Sequence, residues 1–220
     1  MAIQIQGNGG TVAEVDGTTF RALRTVPRPV DHGALGHYRL ATTVPLVVTQ
    51  AANGTLFSFR WGDATRFCVV QKIRLGILQT AAATATLFER YQVFIARGFT
   101  VSDSVGTALT LTGNSFKKRT NMGTTLVTDI RKSAVAAGLT VGTRTLDADP
   151  VLELEHAHMI TTANINVVEK QLDTDAGDGV HPWVLAQNEG FIVRGPTTVF
   201  GAAGTADLLV EVAWAEVTAY

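Results

Sequence analysis

The stretch that decides the fold is Asp207-Leu208-Leu209-Val210-Glu211-Val212-Ala213-Trp214-Ala215-Glu216-Val217. Apolar side chains recur at every second position from Leu208 to Trp214, and a period of two places them on one face of a β-strand. Glu189-Gly190-Phe191-Ile192-Val193-Arg194 is a second strand-like run, and a loop that begins with Gly195-Pro196 separates the two. We therefore predict that these two strands close the chain as a β-hairpin.

Two earlier runs show the same alternation. In the first run, aromatic residues share one predicted face, at Phe57, Phe59 and Trp61. In the second run, one predicted face is apolar and the other is basic, with Phe67, Val69, Ile73 and Leu75 opposite Lys72 and Arg74. Residues 81–97 fit either a helix or a strand, and their aromatic and β-branched side chains favour the strand.

The composition also favours many short strands. The chain of 220 residues contains 30 Thr, 25 Val and 21 Gly, which suit pleated surfaces and the turns between them. We predict an all-β fold, a jelly-roll-like or other β-sandwich domain with an extended N-terminal arm. The arm and the first short strands are assigned to residues 1–40, and the sandwich to residues 41–220.

The N-terminal segment is basic and contains two prolines that exclude a helix interior, Pro27 and Pro29. Its cations are Arg21, Arg24, Arg28 and Arg39, and within residues 21–39 only Asp31 opposes them. One interpretation is an arm whose arginines contact neighbouring subunits. The alternative is a first strand with solvated arginines.

Charge is divided unevenly along a chain whose formal net charge is −1. Residues 1–146 contain 16 Lys and Arg against 7 Asp and Glu, whereas residues 147–220 contain 2 against 12. If the fold keeps the two parts apart, one end of a subunit attracts the opposite end of a neighbour or a charged lattice. If the fold interleaves them, the surface charge is mixed.

A single cysteine, Cys68, excludes an intrachain disulfide framework. Its apolar neighbours predict a buried thiol that packs as a small apolar group, with a reactive thiol as the alternative. The N-terminus lacks the pattern of a secretory signal, and no apolar run approaches the length of a membrane span. We therefore expect no membrane partner.

The best metal candidate is the pair His156 and His158, which would point to the same face of a strand. A site would need further ligands from elsewhere, because Glu153 and Glu155 point to the other face. Paired surface or interface histidines are the alternative. The loop at 173–179 resembles a calcium loop only loosely, and its spacing departs from the EF-hand pattern. We expect no cofactor and no enzymatic activity.

A basic triplet, Lys117-Lys118-Arg119, follows Phe116. It predicts either a solvated turn or a contact with phosphates or with an acidic partner. Three cations beside one aromatic ring in a slightly acidic chain fall short of a nucleic-acid footprint, so no direct nucleic-acid contact is expected.

Several stretches, taken together, carry a resemblance to one family of proteins. The first group covers the N-terminal part: Ile3-Gln4-Ile5-Gln6-Gly7-Asn8-Gly9-Gly10, Val12-Ala13-Glu14-Val15, Phe20-Arg21-Ala22-Leu23-Arg24 and Arg28-Pro29-Val30-Asp31. The middle group is Ala96-Arg97-Gly98-Phe99-Thr100, Thr107-Ala108-Leu109-Thr110-Leu111-Thr112-Gly113-Asn114 and Arg119-Thr120-Asn121-Met122-Gly123-Thr124. The last group is Leu185-Ala186-Gln187-Asn188-Glu189-Gly190-Phe191 and Val212-Ala213-Trp214.

Together, these stretches resemble virion structural proteins of tailed bacteriophages. This resemblance implies a decoration or cement protein on the capsid surface, assembled in the host cytoplasm. The implied partners are the major capsid protein and further copies of the chain, with a trimer as the favoured homo-oligomer. The resemblance transfers no catalytic residue. The alternatives are a tail, baseplate or head-fibre protein, a sugar-binding jelly roll that stacks a glycan on Trp61 or Trp183, and a metal-dependent enzyme built on His156 and His158.

Overall fold

The computed structural model describes residues 15–16, 22–23, 36–46, 50–83, 87–134, 138–158, 160, 167–173, 182–197 and 205–218. The chain divides into two compact units, Met1–Asp31 and His32–Tyr220. The first unit contains β1 (Val15–Asp16) and β2 (Ala22–Leu23), which pair antiparallel. The predicted contact residues Arg21, Arg24 and Arg28 lie outside the described residues.

The second unit contains twelve strands among its described residues. They are β3 (Gly36–Leu46), β4 (Thr55–Trp61), β5 (Phe67–Ala81), β6 (Leu87–Val101), β7 (Thr107–Ala108), β8 (Asp129–Lys132), β9 (Thr143–Leu146), β10 (Leu152–His158), β11 (Val167–Asp173), β12 (Trp183–Leu185), β13 (Glu189–Arg194) and β14 (Thr205–Val217). Since this unit begins at His32 and β3 begins at Gly36, the predicted boundary between residues 40 and 41 falls inside a strand. Residues 36–40 therefore belong to the sandwich.

These strands form two antiparallel sheets that pack face to face. One sheet has seven strands in the order β10-β6-β13-β4-β8-β7, with β9 also paired to β6. The other has five strands in the order β11-β5-β14-β3, with β12 also paired to β5. Phe59 of the first sheet meets Trp214 of the second edge-on, with 5.4 Å between ring centroids. The predicted all-β sandwich is confirmed, and so is the strand interpretation of 81–97 over its part in β6.

The alternating C-terminal strand β14 lies in the middle of the five-stranded sheet, between β5 and β3. Its alternation is as predicted, because its apolar side chains at 208, 210, 212 and 214 are all buried. The predicted hairpin is wrong. β13 pairs with β4 and β6 in the opposite sheet, so the connection after Arg194 crosses from one sheet to the other. Both strands bury a face in the same core, and this satisfies their apolar patterns without pairing them.

A β-bulge corrects the predicted face of β5. Ala213 is opposite Lys72 and Trp214 is opposite Val70, so Gln71 is an extra residue on β5. An extra residue reverses the side to which later side chains point. Val69 consequently packs in a small separate cluster, whereas Ile73 faces the main core. The predicted common face of Phe67, Val69, Ile73 and Leu75 is therefore split at the bulge.

An ion pair is buried where the segments after β6 and before β9 fold onto the seven-stranded sheet. Arg144 donates to Asp103, and these side chains are 2% and 0% exposed. Arg144 also donates to Thr55 Oγ1 at 3.0 Å, and its guanidinium lies 5.0 Å from the centre of the Phe99 ring. The backbone N–H of Gly142 donates to Asp103 Oδ1 at 2.8 Å. These contacts fasten both segments to β4 and β6.

Across the described ranges, no helix has the length and apolar character that crossing a membrane requires.

Candidate functional site

The segment that contains Phe116, Lys117 and Lys118 adds to the edge of the five-stranded sheet. The Arg39 N–H donates to the Phe116 carbonyl at 2.8 Å, and the Lys118 N–H donates to the His37 carbonyl at 2.9 Å. Tyr38 and Lys117 form an antiparallel bridge between these two bonds. The segment therefore extends the sheet beyond β3, which brings the basic triplet next to Arg39.

Arg39 and Lys72 lie on one face of the sheet, on either side of Ala213. Both residues stand opposite Ala213 in the strand register, so the three share the face that points away from the core. Two strand spacings put the Cα atoms of the two cations about 10 Å apart. Ala213 has a small side chain, and the space above it lies open between the two cations.

Lys118 supplies a third cation to the same space. Its Nζ donates to Gln71 Oε1 on β5 at 3.2 Å, so the side chain crosses over β14 from beyond β3. The bulge at Gln71 thus gives Lys118 a partner on this face. Together with Ala41, Ser115 and Phe116, the three cations line a groove of about 600 Å³, hereafter the basic groove.

One acidic side chain borders the basic groove. Glu211 lies 3.6 Å from the Lys72 ammonium and 3.0 Å from the Arg74 guanidinium, and it accepts a hydrogen bond from Arg74. It therefore compensates one of two cations on β5, whereas Arg39 forms no ion pair with any described residue. Asp173 of β11 stands at the register position opposite Lys72, on the side away from Arg39. The strongest positive potential is thus expected between Arg39 and Lys118.

Glu216, at the end of β14, holds the connector that follows the basic triplet. Its Oε1 accepts hydrogen bonds from Thr125 Oγ1 at 2.5 Å, from the Leu126 N–H at 2.9 Å and from the Trp214 indole N–H at 3.4 Å. The residue is only 1% exposed. Tyr38 adds a further link, because its hydroxyl donates to the Gly123 carbonyl at 3.1 Å.

Burial is the main cause of the raised pKa values of Glu216, Tyr38 and Cys68. It raises the pKa of the Glu216 carboxyl, against the opposing effect of the hydrogen bonds from Thr125, Leu126 and Trp214. Burial, followed by the negative charge of Glu216, raises the pKa of the Tyr38 hydroxyl to about 12. The same two causes raise the pKa of the Cys68 thiol.

We expect Glu216→Gln to change how stability depends on pH. Because its folded-state pKa is raised, Glu216 binds a proton more tightly in the folded protein than in the unfolded chain, so its contribution to the free energy of unfolding falls as pH rises through that window. Gln retains an oxygen that accepts from Leu126 but does not titrate. The stability of Glu216→Gln relative to the wild type should therefore rise with pH upward from the ordinary glutamate pKa of about 4.3.

Urea unfolding of both proteins over a pH series measures this difference, and subtracting the wild-type curve removes the titration of all other groups. Glu153→Gln is the matched control, since Glu153 is a partly exposed carboxylate of the opposite sheet. A difference between Glu216→Gln and the wild type that stays flat across the series would contradict the assignment.

The structure brings together part of the predicted contact set. Arg39 and Lys118 line the basic groove, and Lys117 bridges to β3 beside it. Arg119 is exposed, and its carbonyl accepts the Met122 N–H in a turn. The predicted solvated turn thus begins only after Lys118.

Sequence reasoning missed Lys72, Gln71 and Glu211 as parts of this site. The alternation in β5 correctly put Lys72 and Arg74 on one face, which was the available signal. The bulge and the order β5-β14-β3 were needed to place that face beside Arg39, and neither is encoded in a local pattern.

The histidine candidates have separate outcomes. His156 is 2% exposed and stands opposite Glu89 in the register of β10 and β6, so it is not the surface histidine of the alternative interpretation. His158 ends the same strand, and its side chain lies outside the described part. Glu153 and Glu155 lie on the other face as predicted, where both form ion pairs with Arg90. No group of three or more His, Cys, Asp or Glu side chains placed to hold a metal ion occurs among the described residues. The loop at 174–179 lies outside them.

Three further side chains, of two tryptophans and the cysteine, bear on the predicted alternatives. Trp61 is fully buried and its indole N–H donates to the Arg66 carbonyl at 3.0 Å, so it offers no platform for a glycan. Trp183 is half-buried against the core. Cys68 is buried and unpaired with any other cysteine, which confirms its predicted packing role.

Comparison with models of known protein families, with curated proteins and with solved structures gives no match.

Proposed function

We propose that this protein is a structural component of a tailed-bacteriophage virion, a decoration or cement protein that binds the major capsid protein and stabilises the head. It acts on the capsid surface as a homo-oligomer, with a trimer as the expected state, after assembly in the host cytoplasm. The proposal assigns no catalytic residue and no cofactor. The resemblance of the opening and closing stretches to virion proteins supports it.

The basic groove is the observation that carries the proposal. It lies on a regular sheet face, where side chains of three strands and an added segment hold their places without binding-induced folding, and such preorganisation lowers the cost of association. A contact made from a few exposed cations is weak by itself. Repeated over a shell by an oligomer, weak contacts gain strength through multivalency, which is how a cement protein would use them.

The decisive measurement is the copy number and position of the protein in purified particles. We expect quantitative mass spectrometry to find it in amounts comparable to the major capsid protein, and particle imaging to place it on the head. Particles assembled without it should lose their DNA at a lower temperature than complete particles. A few copies confined to the tail or baseplate, or absence from the particles, would refute the proposal.

A further inference from the structure

We infer that the basic groove binds carboxylate side chains of an acidic segment of the protein partner, with one carboxylate seated over Ala213 between Arg39 and Lys118. The inference names the chemistry of the partner at the site on which the proposed function depends, and so rests on that proposal. Three features of the groove favour this occupant over other anions.

The first feature is the mixture of cations. The Arg39 guanidinium presents a planar fork that matches a carboxylate bidentately, whereas the Lys72 and Lys118 ammonium groups act as mobile point charges. Among the described residues, the Lys118 ammonium bonds only to the neutral Gln71 oxygen, at 3.2 Å, and a bond to an anion can replace this neutral contact. Arg39 is exposed and has no competing acid among the described residues.

The second feature is the floor. Sites for free phosphate commonly use backbone N–H groups that converge at a helix start or a tight turn. The floor here is formed by Ala213 and Ala41 within the ladder of β14 and β3, so its N–H groups belong to the sheet. The groove therefore offers side-chain cations but no backbone nest, which suits the monovalent carboxylate better than a phosphate dianion.

The third feature is the limited extent of the positive surface. Glu211 closes one side of the groove, and Asp173 stands at the register position next to Lys72. A nucleic-acid backbone carries a regular series of phosphates and needs a longer basic stripe than this. A short acidic segment fits between these limits.

The inference is tested with a fluorescein-labelled hexaglutamate peptide and the full chain, by fluorescence anisotropy at low ionic strength. We expect saturable binding that weakens as salt is added, because exposed charges are screened. The double variant Arg39→Gln/Lys118→Gln should bind about tenfold more weakly, as expected for the loss of two exposed ion pairs. The matched control is Arg119→Gln, which removes a neighbouring exposed cation outside the groove and should change affinity less than about twofold.

Labelled hexaglutamine and competition by inorganic phosphate complete the design. Equal losses in the groove variant and in Arg119→Gln, displacement of the peptide by phosphate at matched charge concentration, or no binding of hexaglutamate would each overturn the inference. Unchanged thermal unfolding of the variants excludes misfolding as the cause. The measurement on purified particles is independent of peptide binding. If the protein is found on the head but does not bind hexaglutamate, the proposed function stands and only the inferred chemistry of the partner is rejected.

Discussion

Replacing Trp214 with alanine should lower the free energy of unfolding by about 3–5 kcal/mol, the range observed when large aromatic side chains are removed from a core. Trp214 is fully buried at the centre of the interface between the two sheets. Its ring stacks on Tyr38 at 5.6 Å between centroids and meets Phe59 edge-on at 5.4 Å. The substitution removes both aromatic contacts and leaves a cavity that the two rigid sheets cannot close.

The loss would be a large part of a stability that is typically only about 5–15 kcal/mol for a whole protein. Urea denaturation of Trp214→Ala and the wild type measures it. Trp183→Ala is the matched control, since Trp183 is half-buried at the margin of the core and should cost clearly less. Equal losses at the two positions would show that the sheets do not pack through Trp214 as described.

The second large effect is expected at the buried ion pair. Arg144→Met should destabilise the protein by about 3–5 kcal/mol, because it leaves the Asp103 carboxyl buried without its cation. Burial lowers the pKa of the Arg144 guanidinium, and the adjacent Asp103 partly offsets this. Burying the pair therefore costs desolvation energy. The pair stabilises the fold mainly because each group supplies the opposite charge that the other needs once it is buried.

A double-mutant cycle isolates that coupling. In Arg144→Met/Asp103→Asn the buried negative charge is gone, while an amide oxygen remains to accept the Gly142 N–H. We expect the double variant to be more stable than Arg144→Met alone. If the losses in the free energy of unfolding of the two single variants simply add, the two groups are not coupled. The ion pair would then not hold the two segments in place as described.

Local patterns predicted the strands but not their neighbours. The alternation from Leu208 to Trp214 reports that one face is buried, and this holds whichever strand lies alongside. The pairing of β13 with β4 rather than with β14 depends on contacts between residues far apart in the chain. A hairpin is only the pairing that needs the shortest connection. A pattern of period two also cannot reveal the bulge at Gln71, because the bulge breaks the period itself.

The candidate site likewise combines residues that local sequence indicates with an arrangement that only the fold determines. Arg39 and Lys118 were recognised as exposed cations in basic stretches, which needs only composition. Their meeting over Ala213 depends on the register of β5, β14 and β3, and on a lysine side chain that reaches from beyond β3 across β14 to Gln71. The alternative of a glycan platform at Trp61 is excluded only by the fold, since an aromatic residue in an alternating strand has the same pattern whether its face meets the other sheet or solvent.

The contacts along β3 have a consequence for behaviour at high concentration. A bare strand at the margin of a sheet is a template on which other chains polymerise. Along β3, the 116–118 segment forms hydrogen bonds with the His37 carbonyl and the Arg39 N–H. The Lys132 ammonium donates to the Thr43 carbonyl at 2.9 Å, and Pro45 has no N–H that could donate. These contacts leave few free backbone groups along this edge, so we expect little pairing of another chain with β3.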